Sequence, residues 1–536
     1  MYPSVAAALA LASLILSGQV LAYDAVTGAR EPEKLGSVSF QISCKPQVTA
    51  DFDRAVTLLH SFWYDAAQRA FETVAAADPD CAMAYWGEAM VRFPQINGWP
   101  EPSAAAEAQR ALVTADKAPE RNAREAAYIH ALKEFYNGYT PEQALRHAKR
   151  YADAMGALAA AFPNDLEAQA FYALALLASD PPDDVELVNP RMAFALLAPL
   201  FKEHPDHPGI AHYMIHACDN PQMARDGLEA ARRYAAIAPA SPHALHMPGH
   251  IFARLGLWQD DIRSNLASKA AAQGMTGGMH LGAENGLHAT EFLEYAYLQV
   301  GHDNEAQAIV DEARAVKFSD VDPRYPTYYA IVQARYPALL SIETHNWTMA
   351  AQLQPIAGAD TFSEGLTLLA HAVAAGHRRD ATSAQEAAKT IDGLIAAGPP
   401  QSPDSRTTVL RDEIHAWADF SQHDLQGAIV LLRPIADRQA KLGKGEVELP
   451  AREMLAEMLL LDGKAAESLA EYQASLLSDP NRFNALLGAG RAAEQLGKRH
   501  LAAGYYRTLL SNCSGADGEA LTALAHARMV TKQVPD

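Results

Sequence analysis

The sequence predicts an all-α fold, a right-handed α-solenoid in which helix pairs stack one on the next. Three observations support this prediction. Apolar residues recur at intervals of three and four along most of the chain, which is the spacing of one helix face. Alanine, the residue with the highest helix propensity, is abundant, and runs of Val, Ile and Thr are scarce. The third observation is an internal repeat, which favours a stacked array over separate globular domains.

The repeat is clearest near the C-terminus, where matching residues recur 34 residues apart. The matched pairs are Gly463 and Gly497, Tyr472 and Tyr506, and Leu476 and Leu510. This is the period of the tetratricopeptide repeat (TPR), a helix–turn–helix unit. In such a unit a small residue lets two helices approach, an aromatic ring fills the groove beside it, and a proline ends the second helix. Ala67, Phe71 and Pro79 fit the same pattern near the N-terminus.

Looser copies of the pattern predict further helices between the two ends of the array. In chain order these are Pro141–Phe162, Leu166–Leu177, Pro190–Glu203, Ile210–Ala217, Pro221–Ile237, His243–Leu255, Trp258–Ala272, Leu287–Val300, Glu305–Val316, Tyr329–Thr344, Phe362–Ala375, Thr382–Ala397, Thr407–Phe420, Leu425–Leu442 and Arg452–Leu461. Each pair alone leaves one apolar face in water, so stacking is what stabilises it.

The first 22 residues have the pattern of an export signal. Val5–Leu16 is an apolar block, and Val20 and Ala22 place small residues at the −3 and −1 positions of a cleavage site. Cleavage after Ala22 predicts a periplasmic or secreted protein. We therefore divide the chain into a signal peptide (1–22), an N-terminal extended segment (23–50), a TPR-like solenoid with His-rich middle repeats (51–397), a Pro-rich loop (398–405) and C-terminal TPR repeats (406–536).

Composition excludes several classes of function. The chain has 44 Lys and Arg against 64 Asp and Glu, a formal charge of −20, so nothing in its charge favours nucleic acid as a partner. After the signal peptide, no segment is long and apolar enough to cross a bilayer, which predicts no membrane span in the mature chain. The sequence has no CxxC, HExxH or GxSxG motif, so haem attachment, zincin chemistry and a serine nucleophile elbow have no support.

Two of the four cysteines are candidates for a disulfide. Cys44 precedes the first repeat, and Cys81 opens its next helix. An oxidised pair would tie the N-terminal segment to the solenoid, and an extracytoplasmic compartment permits such a bond. A pair of buried thiols is the alternative.

Three local strings carry a resemblance to a known family. They are HSFWYDAAQRAFETVAAADPDCAMAYWGEAM at His60–Met90, HALHMPGHIFARLGLW at His243–Trp258, and EYAYLQ at Glu294–Gln299. Together they resemble a mostly uncharacterised family of exported bacterial TPR proteins. The resemblance implies a TPR fold and export. TPR proteins in general bind protein or peptide partners, so it also implies a partner in the concave groove.

The histidines of the middle repeats are the main candidates for chemistry. Seven of the twenty histidines fall between positions 212 and 288. His212 and His216, and again His246 and His250, are spaced i and i+4, so both rings of each pair project from one helix face and can chelate one ion. His243 and His288 lie nearby in the sequence. Imidazole ligands suit zinc, copper, iron or nickel.

The two pairs lie about one repeat apart, so neighbouring helices are expected to bring them together on one transition-metal ion, zinc or copper. Glu284 and Glu291 share a helix face with His288 and are the predicted outer-shell carboxylates. Pro248 and Gly249 separate His246 from His250 and can interrupt the helix between them. The alternative is that each ring packs between helices, bonded to a backbone carbonyl or a carboxylate.

Two functions compete at this level, with a passive structural component of an assembly or of the cell envelope as a third alternative. The first is an exported scaffold that binds a peptide or protein in its concave groove, which accounts for the repeat residues. The second is a metal-binding protein or metal-dependent enzyme that uses the histidine cluster. The repeat pattern favours the scaffold, and a binding role over an enzymatic one. The clustering of histidines favours the metal site.

Overall fold

The computed structural model describes residues 34–93, 95–119, 121–273, 279–317, 326–356, 358–399, 405–445 and 447–534. The described part of the chain is helical and contains no β-strand. Consecutive helices pack together along the described part of the array. The fold is therefore an all-α solenoid of stacked TPR-like helix pairs, as the sequence predicts.

The bounds of the helices divide into three groups along the chain. The N-terminal group, α1 to α9, consists of Thr49–His60, Tyr64–Ala77, Ala82–Met90, Pro102–Lys117, Ala123–Tyr136, Ala144–Ala161, Leu166–Ala178, Val188–Glu203 and Pro208–Cys218. The middle group, α10 to α16, consists of Leu228–Ile237, Pro242–His246, Pro248–Arg254, Trp258–Gln273, Met279–Gln299, Asp303–Ala315 and Pro326–Glu343.

The C-terminal group, α17 to α26, completes the array. It consists of Trp347–Gln352, Thr361–Arg378, Ala381–Ala397, Arg406–Ser421, Leu425–Leu442, Ala451–Leu461, Ala465–Ser478, Phe483–Gln495, Arg499–Asn512 and Ala520–Gln533. Short 3₁₀ turns at Pro46–Val48, Gln95–Asn97 and Pro141–Gln143 lie between the α-helices.

Close helix approach within a pair depends on small residues opposite aromatic rings. A Cβ atom built on Gly488 would lie 2.2 Å from the Tyr472 ring, and one built on Gly87 would lie 2.2 Å from the Phe71 ring. Any side chain there would force the helices apart, because packed cores leave no such space. A small residue and an aromatic ring therefore meet at both ends of the array, and the small residues are Gly87 and Gly488.

The apolar core runs through the array in overlapping clusters. One cluster extends from Leu35 to Phe252 and covers the N-terminal helices and the first middle helices. Another includes both Ile391 and Leu410, so the core is continuous across the predicted loop at 398–405. Of that loop, residues 400–404 lie outside the described residues.

Successive turns of the solenoid contact each other. The Trp258 indole N–H donates to the Asn481 carbonyl over 2.9 Å. The Asp303 carboxylate accepts from the Ala520 backbone N–H over 2.8 Å, and Gln222 donates to the Lys441 carbonyl over 3.1 Å. The C-terminal repeats thus pack on the middle repeats, far from them in sequence.

Some predicted helix bounds were wrong. The helix expected at Pro221–Ile237 begins only at Leu228, because the Asn220 side chain accepts from the Met223 N–H and holds the preceding residues in turns. The helix expected at Leu287–Val300 begins earlier, at Met279. The predicted signal peptide, including Ala22, lies outside the described residues. Among the described helices, none has the length and apolarity to cross a membrane.

Candidate metal centre

Four neighbouring helices carry the candidate histidines. Helix α9 carries His212 and His216, α11 carries His243 and His246, α12 carries His250, and α14 carries His288. Each of the three shorter helices begins with a proline in its first turn, where the missing N–H costs nothing. The chain therefore starts several short helices in close succession, and each one points rings into the same region.

The first histidine triad consists of His212, His216 and His243. The Nε2 atom of His212 lies 3.0 Å from Nε2 of His216 and 3.1 Å from Nε2 of His243. Three nitrogens at this spacing surround a single point, as the ligands of one metal ion do. The i, i+4 pair on α9 thus gains its third ring from α11.

The second histidine triad consists of His246, His250 and His288. Nε2 of His246 lies 3.0 Å from Nε2 of His250, and the His246 and His288 ring centroids are 4.5 Å apart. The helix does break at Pro248, but Met247 keeps helical dihedral angles, φ −50° and ψ −35°. The two rings therefore stay on one face across the break.

The prediction that His212, His216, His246 and His250 converge on one ion needs correction. The structure groups each pair with a different third ring, so the potential ligand atoms form two sets of three. The two sets are adjacent: the ring centroids of His216 and His250 are 6.4 Å apart, as are those of His243 and His246. The reason is that α11 contributes one ring to each set.

Hydrogen bonds at the far side of the rings fix where their protons lie. The Asn265 amide nitrogen donates to Asp261, so its oxygen faces His246 and accepts from Nδ1–H over 2.6 Å. The Asp219 carboxylate accepts from His250 Nδ1–H over 2.8 Å. The two Nε2 atoms face each other over 3.0 Å, and the Nδ1 atom of each ring is bonded on the opposite side.

The same reasoning applies to His212 in the first triad and to His288 in the second triad. The His60 backbone carbonyl accepts from His212 Nδ1–H over 2.6 Å, which leaves a lone pair on His212 Nε2. The Glu291 carboxylate accepts from His288 Nδ1–H over 3.2 Å. Backbone, amide and carboxylate acceptors behind metal-binding imidazoles orient the rings and raise their basicity.

Arginines hold the two carboxylates in the ionised state. Burial works to raise the pKa of Asp219, but Arg254 and His250 outweigh it and hold that pKa well below its usual range. Burial likewise opposes Arg335 and His288 at Glu291, yet the pKa of Glu291 falls to about 2. Glu291 thus lies behind the His288 ring, and its role as an outer-shell carboxylate stays a prediction. The Glu284 side chain lies outside the part of the chain whose side chains are described.

Burial favours the neutral form of four of the six rings. It lowers the pKa of His216 to about 3, with a further contribution from the neighbouring ring of His250. It also lowers the pKa of His212, His243 and His246 well below the ordinary histidine value. Neutral imidazole is the form that binds metal ions. These four rings therefore stay in the metal-binding form at neutral pH.

A phenylalanine packs over each triad. The Phe62 ring lies 4.3 Å from the His212 ring, centroid to centroid, and the Phe292 ring lies 4.8 Å from the His246 ring. Phe62 has a left-handed backbone with φ of 52°, a conformation that costs a non-glycine residue about 1 kcal/mol or more. His216 and His288 are half-buried, whereas the other four rings are buried. Each triad thus has an apolar cover and one ring near solvent.

A third buried group has a different character. His60 and His207 both bond to the Glu167 carboxylate, over 2.7 Å and 3.0 Å. The remaining nitrogen of His60 bonds to the Tyr213 hydroxyl, and that of His207 accepts from the Ile210 backbone N–H. Every ring nitrogen here has a partner, so this group is complete without a metal ion. It instead fixes His60, whose carbonyl orients His212.

The cysteine pair and the residues that sequence reasoning missed complete the description. Cys44 and Cys81 form a disulfide in the structure. The missed residues are Asp219, Asn265 and the His60 carbonyl, which contact the rings from separate elements. Only Asp219 had a signal in the sequence, since it directly follows the helix that carries His212 and His216.

Fold and site together define a class, a helical-repeat protein with two adjacent histidine triads. No known family profile matches the sequence, and no curated protein matches it significantly. Solved structures with a similar arrangement of helices include a human IFIT1 dimer with m7Gppp-AAAA, at 13% identity and TM-score 0.36, covering 80% of this chain and 90% of that one.

Two further similar structures contain helical repeats. The P58(IPK) TPR domain has 12% identity and TM-score 0.21, covering 91% of this chain and 99% of that one. Naa15/Naa10 bound to HypK-THB has 12% identity and TM-score 0.23, covering 91% of this chain and 74% of that one. Similarity at this level does not extend to function.

Proposed function

We propose that this protein binds two transition-metal ions, one on each histidine triad, with the helical repeats as their frame. The observation that carries the proposal is the pair of Nε2 atoms of His246 and His250. They face each other over 3.0 Å, and the Nδ1 atoms of the two rings are bonded on the opposite side to Asn265 and Asp219. Imidazoles held from behind in this way, with their other nitrogens directed to one point, have the arrangement of metal ligands.

The ligand set limits the choice of metal. Each triad offers three imidazole nitrogens, and the carboxylates of Asp219 and Glu291 lie behind the rings. Magnesium, calcium and manganese prefer oxygen ligands, whereas copper and zinc bind imidazole readily. Copper and zinc are therefore the ions proposed, as in the sequence prediction, but two in number.

Metal content tests the proposal directly. Protein stripped with a chelator and titrated with Zn²⁺ or Cu²⁺ is expected to retain two ions per chain by elemental analysis. The double variant His212→Ala/His216→Ala is expected to retain one, and so is His246→Ala/His250→Ala. The control His204→Ala/His500→Ala, which removes two exposed rings, is expected to retain two.

Each variant needs a check of its fold, because buried rings are being removed. Far-UV circular dichroism reports whether the helices persist. Wild-type protein that retains no ion, or helical triad variants that still retain two, would rule out this pair of sites.

The proposal includes export to the periplasm or the medium. The apolar block before Ala22 supports it, and so does the Cys44–Cys81 disulfide, since such bonds persist in oxidising compartments. An intact mass that begins at residue 23 would support cleavage at this position. Binding of a protein or peptide partner by the repeats stays a prediction, to be tested by co-purification from the native host.

A further inference from the structure

We infer that the two triads hold a coupled pair of copper ions that binds dioxygen between them. This inference rests on the proposed function, because it requires an ion on each triad. It goes beyond metal binding by naming the metal, its small-molecule ligand and the electron transfer that joins them. Four features of the site carry it.

The first feature is the identical ligand set of the two triads. Each has an i, i+4 pair, His212 with His216 and His246 with His250, and each gains a third ring from a later helix. Cu(I), with its filled d shell, is stable with three imidazole ligands and leaves a coordination position open. Equal ligand sets give two ions of similar redox behaviour, which suits a reaction in which each ion transfers one electron.

The second feature is the short distance between the triads. Ring centroids across the boundary are 6.4 Å apart at two places, His216 with His250 and His243 with His246. Within the second triad the centroid distances already range from 4.5 to 5.8 Å. The two triads thus form nearly continuous packing of rings, and the inference requires that one diatomic molecule reach both ions.

The third feature argues against hydrolysis as the chemistry. Hydrolysis by general base catalysis uses a carboxylate or imidazole that is free to take a proton from water. Among the residues whose side chains are described, the carboxylates bonded to these rings are Asp219 and Glu291. Asp219 bonds to both His250 and Arg254, and Glu291 bonds to both His288 and Arg335. Each is fully used in orienting a ring.

The fourth feature is the apolar surrounding with limited access. Phe62 contacts all three rings of the first triad, and Phe292 contacts all three of the second. An apolar cover favours a neutral molecule such as dioxygen over charged substrates. The half-buried rings, His216 and His288, give one side of the centre contact with solvent.

The electrons of the proposed step balance with two copper ions and one dioxygen molecule alone. Each Cu(I) gives one electron and becomes Cu(II). Dioxygen takes both electrons, keeps its O–O bond and becomes a peroxide dianion that bridges the two ions. Return of the two electrons releases dioxygen and restores both Cu(I) ions, so no proton or external reductant is consumed.

The experiment uses the full-length mature protein loaded anaerobically with two equivalents of Cu(I). On exposure to dioxygen we expect uptake of one O₂ per two copper ions, a new near-ultraviolet absorption band, and no Cu(II) signal in electron paramagnetic resonance because the two spins couple. Zinc-loaded protein is the control and is expected to take up none. The variant His216→Asn, at a half-buried ring, is expected to lose the uptake.

The outcomes separate this inference from the proposed function. Protein that binds two Cu(I) ions but takes up no dioxygen, or that gives two independent Cu(II) signals, overturns the inference and leaves two metal sites. Protein that binds neither copper nor zinc overturns both. If His216→Asn does not fold, the ratio of dioxygen to copper and the spin coupling of the wild type still decide the question.

Discussion

At the scale of single residues, Asp219 links the second triad to the rest of the protein. Its carboxylate accepts from His250 Nδ1–H over 2.8 Å and from Arg254 over 2.9 Å. Arg254 in turn donates to the Lys444 carbonyl over 3.2 Å. One buried anion therefore orients a candidate ligand and connects it to the C-terminal repeats.

The variant Asp219→Asn is expected to weaken the metal affinity of the second triad by about 10- to 100-fold, the usual effect of losing an outer-shell partner. The amide keeps the shape of the side chain but loses the charge that makes His250 a strong donor ligand. Competition titration with a chromophoric chelator measures the change. Asp226→Asn, at an exposed carboxylate in the next turn, is the control, and equal affinities for the two variants would contradict this role.

The candidate ligands could be predicted from spacing, but their partners could not. An i, i+4 pair is visible in the sequence because the helix itself fixes the distance between its members. The partner of His212 is the backbone carbonyl of His60, 152 positions away. A carbonyl has no sequence signal, and such a contact depends on how α1 packs on α9.

At the scale of helices, Gly249, which follows the break at Pro248, allows close packing between α12 and α13. A Cβ atom on Gly249 would lie 2.7 Å from Asp261 and 2.9 Å from the Asn265 amide nitrogen. The sequence suggests that Pro248 and Gly249 can separate His246 from His250. In the structure they do not separate these two rings of the second triad. Gly249 instead lets α13 come close enough for Asn265 to hold His246.

The turn after α7 contains Asp180, whose surroundings disfavour a negative charge on its carboxylate. Asp180 follows the C-terminal end of α7, where the helix dipole disfavours negative charge. Burial and the neighbouring Asp184 raise its pKa to about 7 from the ordinary 3.8. A carboxyl with a raised pKa in the folded state contributes stability below its unfolded pKa. That contribution is lost as the pH rises through 7.

Asp180→Asn is therefore expected to raise the free energy of unfolding at pH 8 by about 1 kcal/mol, after allowance for solvent screening of a partly exposed group. The gain over wild type is expected to shrink at pH 5, where the folded protein keeps Asp180 protonated. Urea unfolding at the two pH values measures it. Asp183→Asn, at an exposed neighbour, serves as control, and a gain that does not change with pH would contradict the assignment.

At the scale of the whole molecule, the sequence repeat predicts the class of fold. It does not predict the contacts between successive turns of the solenoid. Helix periodicity and the 34-residue recurrence are local patterns, and they predict which helices pair. Packing of the C-terminal repeats on the middle ones depends on the small rotation between repeats, summed over the array. Trp258 and Asn481, which meet across 223 positions, show no common pattern in the sequence.

Arg482 is the main polar contact between these distant repeats. Its guanidinium is fully buried and donates to Glu453 over 2.7 Å and 2.9 Å and to Glu343 over 2.6 Å, as well as to the Tyr295 hydroxyl. These partners lie on α22, α16 and α14, while Arg482 itself precedes α24. One side chain thus joins the C-terminal repeats to the helix that carries His288.

Arg482→Met is expected to lower the free energy of unfolding by about 3–5 kcal/mol, because it leaves buried carboxylates without their cation. The loss is expected to begin in the C-terminal repeats, seen as faster amide hydrogen exchange in α23 to α26 than in α1 to α9. Adding Glu343→Gln and Glu453→Gln removes the unpaired charges and is expected to recover part of the stability, since neutral replacements of a buried ion network are often tolerated. If Arg482→Met unfolds like the wild type, or exchange rises equally along the chain, then Arg482 does not join the repeats. The histidine triads would then depend on the packing of the middle helices alone.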